Sequence, residues 1–122
     1  MELKMIEGEF SICKVSDTSR ICYDDSFVFV DTKDGETSVV CRTQYLPENC
    51  LECENGYRGL QARGKLDAFL LGCIAGMVKV LKEHDAHVFV TTTDTAEYVF
   101  VERRYFPKMV EGLKKAGYPV NE

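Results

Sequence analysis

Two stretches in the second half of the chain repeat apolar residues at a helical period, and two β-rich runs lie between them. Few folds accept that alternation. Leu70, Cys73, Ile74, Met77, Val78 and Leu81 fall at helical spacing, with Lys79, Lys82 and Glu83 on the opposite side. Further on, Phe106, Met109, Val110 and Leu113 repeat at i, i+3, i+4 and i+7. Pro107 sits in the first turn of that second helix, Gly117 stands as its stop, and Lys114 and Lys115 suit its carbonyl end. Between the helices, His87 to Thr92 and Glu97 to Glu102 flank Thr93-Asp94-Thr95-Ala96, which predicts a hairpin. Ahead of the first helix, Tyr57 to Arg63 alternates, with Arg58, Leu60 and Ala62 on one face and Tyr57, Gly59 and Gln61 on the other. Tyr118-Pro119-Val120 can add a short edge strand.

The resulting order is β-α-β-β-α-β, the ferredoxin-like arrangement. The first half supplies a reduced version of it. Glu9 to Val15 alternates Phe10 and Ile12 against Ser11 and Cys13, and Phe27 to Val30 is a short β-favouring run. Asp31 to Glu36 carries turn chemistry, with Gly35 available for a positive φ, and Thr37 to Cys41 resumes the strand pattern. Ser16 to Ser26 is polar and reads as a loop, in the place of a first helix. Arg42 to Asn55 contains Pro47 and reads as a short helical turn followed by a connector, the internal boundary. The expected fold class is therefore α+β with two subdomains, a reduced N-terminal one over residues 1–56 and a complete one over 57–122.

Charge and composition exclude several functions. Fifteen Lys and Arg against twenty Asp and Glu give a net charge of -5, the wrong sign for a phosphate-backbone binder, so no nucleic-acid partner is expected. The longest apolar stretch, Ala68 to Val78, is well short of the ~20 residues of a membrane span, so no membrane partner is expected either. The opening Met1-Glu2-Leu3-Lys4 lacks the sections of a secretory signal, which points to the cytoplasm and to six reduced cysteines. Cys50-Leu51-Glu52-Cys53 has the gap of a zinc half-site or a redox pair, but no second close-spaced pair completes it. No metal and no cofactor are expected, and Cys13, Cys41 and Cys73, all in apolar patterns, are read as core filling. His84 and His87 flank Asp85 at a helix-to-strand junction, where capping or solvation suits them better than acid-base work. Gly72 serves close packing or ligand approach equally well, and Asp67 can cap the helix while also meeting a ligand.

The order and spacing of several motifs resemble the small ACT-domain proteins, related to the regulatory domains of aspartate kinases and to cytosolic arginine sensors. Glu7-Gly8-Glu9-Phe10-Ser11-Ile12-Cys13 resembles the family's opening strand, and Pro47-Glu48-Asn49 with Gly56-Tyr57-Arg58 resembles its connector and following strand. Leu66-Asp67, Gly72 and Ala75 match the loop and helix start used at the family's ligand site. Phe89, Thr91-Thr92 and Glu97-Tyr98 match its hairpin. The resemblance implies two ACT-like subdomains and a non-catalytic regulatory protein that binds an amino acid or similar small metabolite at a subdomain junction. The site it implies comprises Asp67, Phe69, Leu71, Gly72, Cys73, Thr92, Thr93 and Glu97. The ligand carboxylate would lie at the helix start around Leu71, Gly72 and Cys73, with Asp67 or Glu97 near its ammonium. Phe69 stands where relatives have a serine, which implies a more apolar or weaker-binding ligand than arginine or lysine, and Thr93 stands where they have an aromatic. Pairing with a second ACT unit is also implied, so a homo-oligomer is expected unless the two halves of one chain satisfy each other. The alternative functions are a protein-interaction or oligomerisation module without a ligand and a cysteine-based redox or metal protein.

Overall fold

The computed structural model describes residues 2–64 and 68–122. They form a small α+β protein with a largely antiparallel sheet and two α-helices. The chain divides into two compact units, one of Met1–Glu7 and Arg58–Glu122, the other of Gly8–Tyr57. Two long strands, β1 (Glu2–Val15) and β4 (Cys50–Arg63), contribute residues to both. Hydrogen-bonded neighbours follow the order β2-β3-β1-β4-β6-β5, with β7 against β1.

In the Gly8–Tyr57 unit, β2 (Phe29–Lys33) and β3 (Glu36–Arg42) form the hairpin expected around Gly35. Asp34 and Gly35 both have positive φ, 54° and 79°, as a two-residue turn matching the strand twist requires. Strand β3 then pairs antiparallel with β1 from Phe10↔Arg42 to Val15↔Thr37. Cys13 and Val15 project to the face shared by Val39 and Cys41, and with Ile21 they make a small core joined by Val28, Leu46 and Cys50. The expected packing role of Cys13 and Cys41 is met, since both are buried.

A 3-10 turn at Thr43–Tyr45 follows β3, as the sequence suggests. The connector expected after it is shorter, because β4 begins at Cys50. Cys50–Asn55 is polar and mostly exposed, so its strand geometry comes from pairing with β1 and leaves no apolar period to read. Ser11 on β1 is fully buried and satisfied across that pairing, its hydroxyl lying 2.7 Å from Thr43 Oγ1 and donating to Asn55 Oδ1 at 2.6 Å. Arg42 donates to Asp25 Oδ1 at 2.6 Å and lies over the rings of Phe10 and Phe27.

In the other unit, β4 leads into α1 (Ala68–Glu83), the hairpin of β5 (Val88–Thr92) and β6 (Ala96–Glu102), a 3-10 turn at Arg103–Tyr105, α2 (Phe106–Lys115) and β7 (Val120–Asn121). That is the strand-helix-strand-strand-helix-strand succession read from the sequence. The short β7 lies parallel to the start of β1, with Leu3 opposite Val120. Both helices cover one face of the sheet. Leu70 and Ile74 from α1 and Phe106, Met109, Val110 and Leu113 from α2 pack on Leu60, Ala62, Val99 and Val101. Helix α2 ends as expected at Gly117, with Tyr118 N–H donating back to Leu113 O. Helix α1 closes the same way without a glycine: Asp85 takes φ 60° and Ala86 N–H donates to Leu81 O. Both histidines of this junction are exposed.

Candidate functional site

The register of the β5–β6 hairpin decides which side chains face α1. Val88 pairs with Val101, Val90 with Val99 and Thr92 with Glu97, so these six share one face. Val99 and Val101 are buried beneath the helices, which places Glu97 on the helix-facing side near the hairpin tip. Ala75, Val78, Lys79 and Lys82 recur at i, i+3, i+4 and i+7, forming one face of α1. That face and the hairpin line a groove of about 650 Å³, with Ile74, Ala75, Val78 and Val90 as apolar walls and Lys79, Lys82, Glu83 and Glu97 as its charged groups.

Glu97 is the distinctive group in it. One carboxylate oxygen, Oε2, is buried and has no hydrogen-bond partner. Burial also holds the carboxyl above the usual carboxylate range. A desolvated acceptor of this kind costs free energy until a donor reaches it. The groove therefore offers an acceptor for an ammonium, apolar walls for a carbon skeleton, and two lysines able to meet a carboxylate. These groups are complementary in charge and polarity to a small zwitterion.

The eight residues expected at the site separate. Glu97 lines the groove, and Thr92 stands opposite it across the hairpin. Leu71 is four residues before Ala75, on the same helix face. Cys73 lines a different groove of about 450 Å³, with Gly76, Met77, Val80, Leu81, Tyr105, Lys108 and Met109. Gly72 is exposed, and a Cβ there would meet nothing within 4 Å. Gly72 and Cys73 both lie beyond the first four residues of a helix that starts at Ala68, so its own hydrogen-bonding pattern takes up their amides. Phe69 is 67% exposed and stacks on Tyr118 at 6.1 Å. Thr93 is engaged in the turn, its Oγ1 accepting from the amides of Thr95 and Ala96. Asp67 lies outside the described residues.

Lys79, Lys82 and Val90 were not among the expected site residues. The lysines carry a helical signal that assigned them to solvent; their four-residue offset from Ala75 and Val78 was the clue to a charged groove rim. Among the described residues, no group of three or more His, Cys, Asp or Glu is arranged to hold a metal ion, and no helix is long and apolar enough to cross a membrane.

No family model and no curated protein matches the sequence. Solved structures do match the fold. A protein from Agobacterium tumefaciens superposes with a TM-score of 0.75 at 21% identity, over 98% of this chain and 90% of that one. The ligand-free regulatory subunit of aspartate kinase from Thermus thermophilus gives 0.56 at 10% identity, over 95% and 97%. Aspartate kinase from Clostridium acetobutylicum gives 0.58 at 13% identity, over 93% of this chain but 33% of the kinase. The relation to aspartate kinase regulatory domains expected from the sequence is thus present at the level of the fold.

Proposed function

We propose that the chain is a non-catalytic regulatory protein of ACT type, which binds an apolar amino acid or a similar small amino-carboxylate in the groove between α1 and the β5–β6 hairpin. The observation that carries this reading is the unpartnered, buried oxygen of Glu97 in an apolar groove rimmed by Lys79 and Lys82. Glu97 accepts from the ligand ammonium, the lysines meet its carboxylate, and Ile74, Ala75, Val78 and Val90 take the side chain. The fold shared with aspartate kinase regulatory subunits supports a regulatory role. The same reading treats the Gly8–Tyr57 unit as a reduced ACT-like subdomain and extends the relation to cytosolic arginine sensors. It also places the protein in the cytoplasm as a homo-oligomer.

A thermal-shift screen over the common amino acids tests it. A ligand at a hundred times its Kd stabilises the folded state by about 2.7 kcal/mol, a rise of several degrees. Apolar amino acids should raise the melting temperature of the wild type and leave Glu97→Gln unmoved. If none does so, an interaction module without a ligand becomes the better reading. The exposed Phe69 and Val80 of α1, 67% and 52% accessible, are the surface it would use.

A further inference from the structure

Alternation along β4 puts Arg58 on the same face as Leu60 and Ala62, the face that the two helices cover. A cation is unexpected in that row. Its guanidinium carbon lies 5.0 Å from the ring centroid of Phe106, which is buried at the start of α2. Nε of the same guanidinium is buried and has no hydrogen-bond partner. Among the described residues, no carboxylate pairs with this arginine. An arginine that only covers core with its stem keeps its head group hydrated, whereas here one donor is withdrawn from water with no acceptor in its place.

Arg58 lines a groove of about 420 Å³ between the sheet and α2. Pro107, Val110, Glu111 and Lys114 recur at i, i+3, i+4 and i+7, so one face of α2 forms a wall, and Met5 of β1 and Phe106 complete the apolar lining. Glu111 is engaged by Lys115 at 3.0 Å. Arg58 and Lys114 are therefore the uncompensated charges of the groove. In a chain of net charge -5, this local excess of positive charge does not follow from composition.

We propose that this groove is a second ligand site, which takes a small carboxylate with an apolar body and no ammonium group. The guanidinium of Arg58 presents its N–H groups as a planar fork that matches a carboxylate, and Lys114 adds a second positive charge. Met5, Phe106, Pro107 and Val110 receive the carbon skeleton. Because Lys115 already engages Glu111, the groove does not favour an ammonium, in contrast to the groove that holds Glu97. The two sites share no lining residue, so this one stands or falls independently of amino-acid binding beside α1.

The test titrates the full nitrogen-15-labelled chain with isocaproate and with phenylacetate at constant ionic strength, reading the Arg58 side-chain Nε–H resonance and the backbone amides of Val110, Glu111 and Lys114. Both acids should move these signals saturably. Isocaproamide, which has the same skeleton without the charge, should bind about tenfold more weakly or worse, and so should isocaproate to Arg58→Met, which keeps an apolar stem over Phe106. Lys114→Gln should weaken binding by roughly twofold to fivefold, since that lysine is exposed. No saturable shift with either acid, equal affinity for isocaproamide or for inorganic phosphate, shifts at Lys79, Val90 and Glu97 instead, or undiminished binding by Arg58→Met would overturn the proposal. Should Arg58→Met fail to fold, the comparison of isocaproate with isocaproamide on the wild type decides the matter.

Discussion

Replacing Gly59 by alanine should destabilise the protein through a single steric contact. A Cβ on Gly59 would lie 2.8 Å from Cδ1 of Phe100, closer still to Cε1, and 3.2 Å from Cδ1 of Ile6. Neither neighbour can retreat easily. Phe100 is fully buried with Phe89 beside it at 6.3 Å, and Ile6 is also buried. Overpacking of this kind costs about 1–3 kcal/mol, and the lower chain entropy of alanine returns at most about 1 kcal/mol. The net loss of ~1–2 kcal/mol lowers the melting temperature by roughly 4–10 °C in a domain of this size. Gly76→Ala is the control, since a Cβ there meets nothing within 4 Å on an exposed helix face. It should stabilise by about 0.5–1 kcal/mol. Calorimetric melts of both variants read the two signs directly. A Gly59→Ala protein that melts at or above the wild type would refute the Gly59–Phe100 packing, and equal losses in both variants would refute the steric argument.

Glu97→Gln should stabilise the ligand-free protein at neutral pH. Burial raises the folded carboxyl above its unfolded value, so the ionised form is penalised above the folded pKa, and the penalty fades as pH falls through it towards the unfolded value. Urea melts at pH 7 and pH 4 should show the variant's advantage at the first pH only; an advantage that persists unchanged at pH 4 would contradict the cause. Arg42→Met should cost about 3 kcal/mol, because it leaves Asp25, whose side chain is only 9% exposed, without its cation. Asp25→Asn combined with Arg42→Met should recover part of that loss in chemical denaturation, and no recovery would show that the ion pair is not the source.

The second-half elements were legible because helical and strand periods differ sharply there. Phe106, Met109, Val110 and Leu113 announced α2, and all four are buried. The β2–β3 hairpin was equally clear, since Asp34-Gly35 carries a specific turn chemistry. The first turns of β4 were not legible. Cys50–Asn55 has no buried face to impose alternation, and its strand geometry depends on β1, distant in sequence. The same limit applies to the groove. Glu97 was identifiable beside a β-rich run, but Lys79 and Lys82 looked like a solvated helix face until the hairpin register showed what lay opposite them. The small core of the first half was hidden for the same reason, because Cys13 and Cys41 come together only through the pairing of β1 with β3.

The most direct test of the central claim is a two-dimensional amide NMR titration with whichever apolar amino acid gives the largest thermal shift. Binding in the groove should move resonances of Ala75, Val78, Lys79, Val90 and Glu97, and the Glu97→Gln variant should show none of these changes. Shifts confined instead to Cys73, Met77, Leu81 and Tyr105, or a spectrum that no amino acid alters at millimolar concentration, would contradict it.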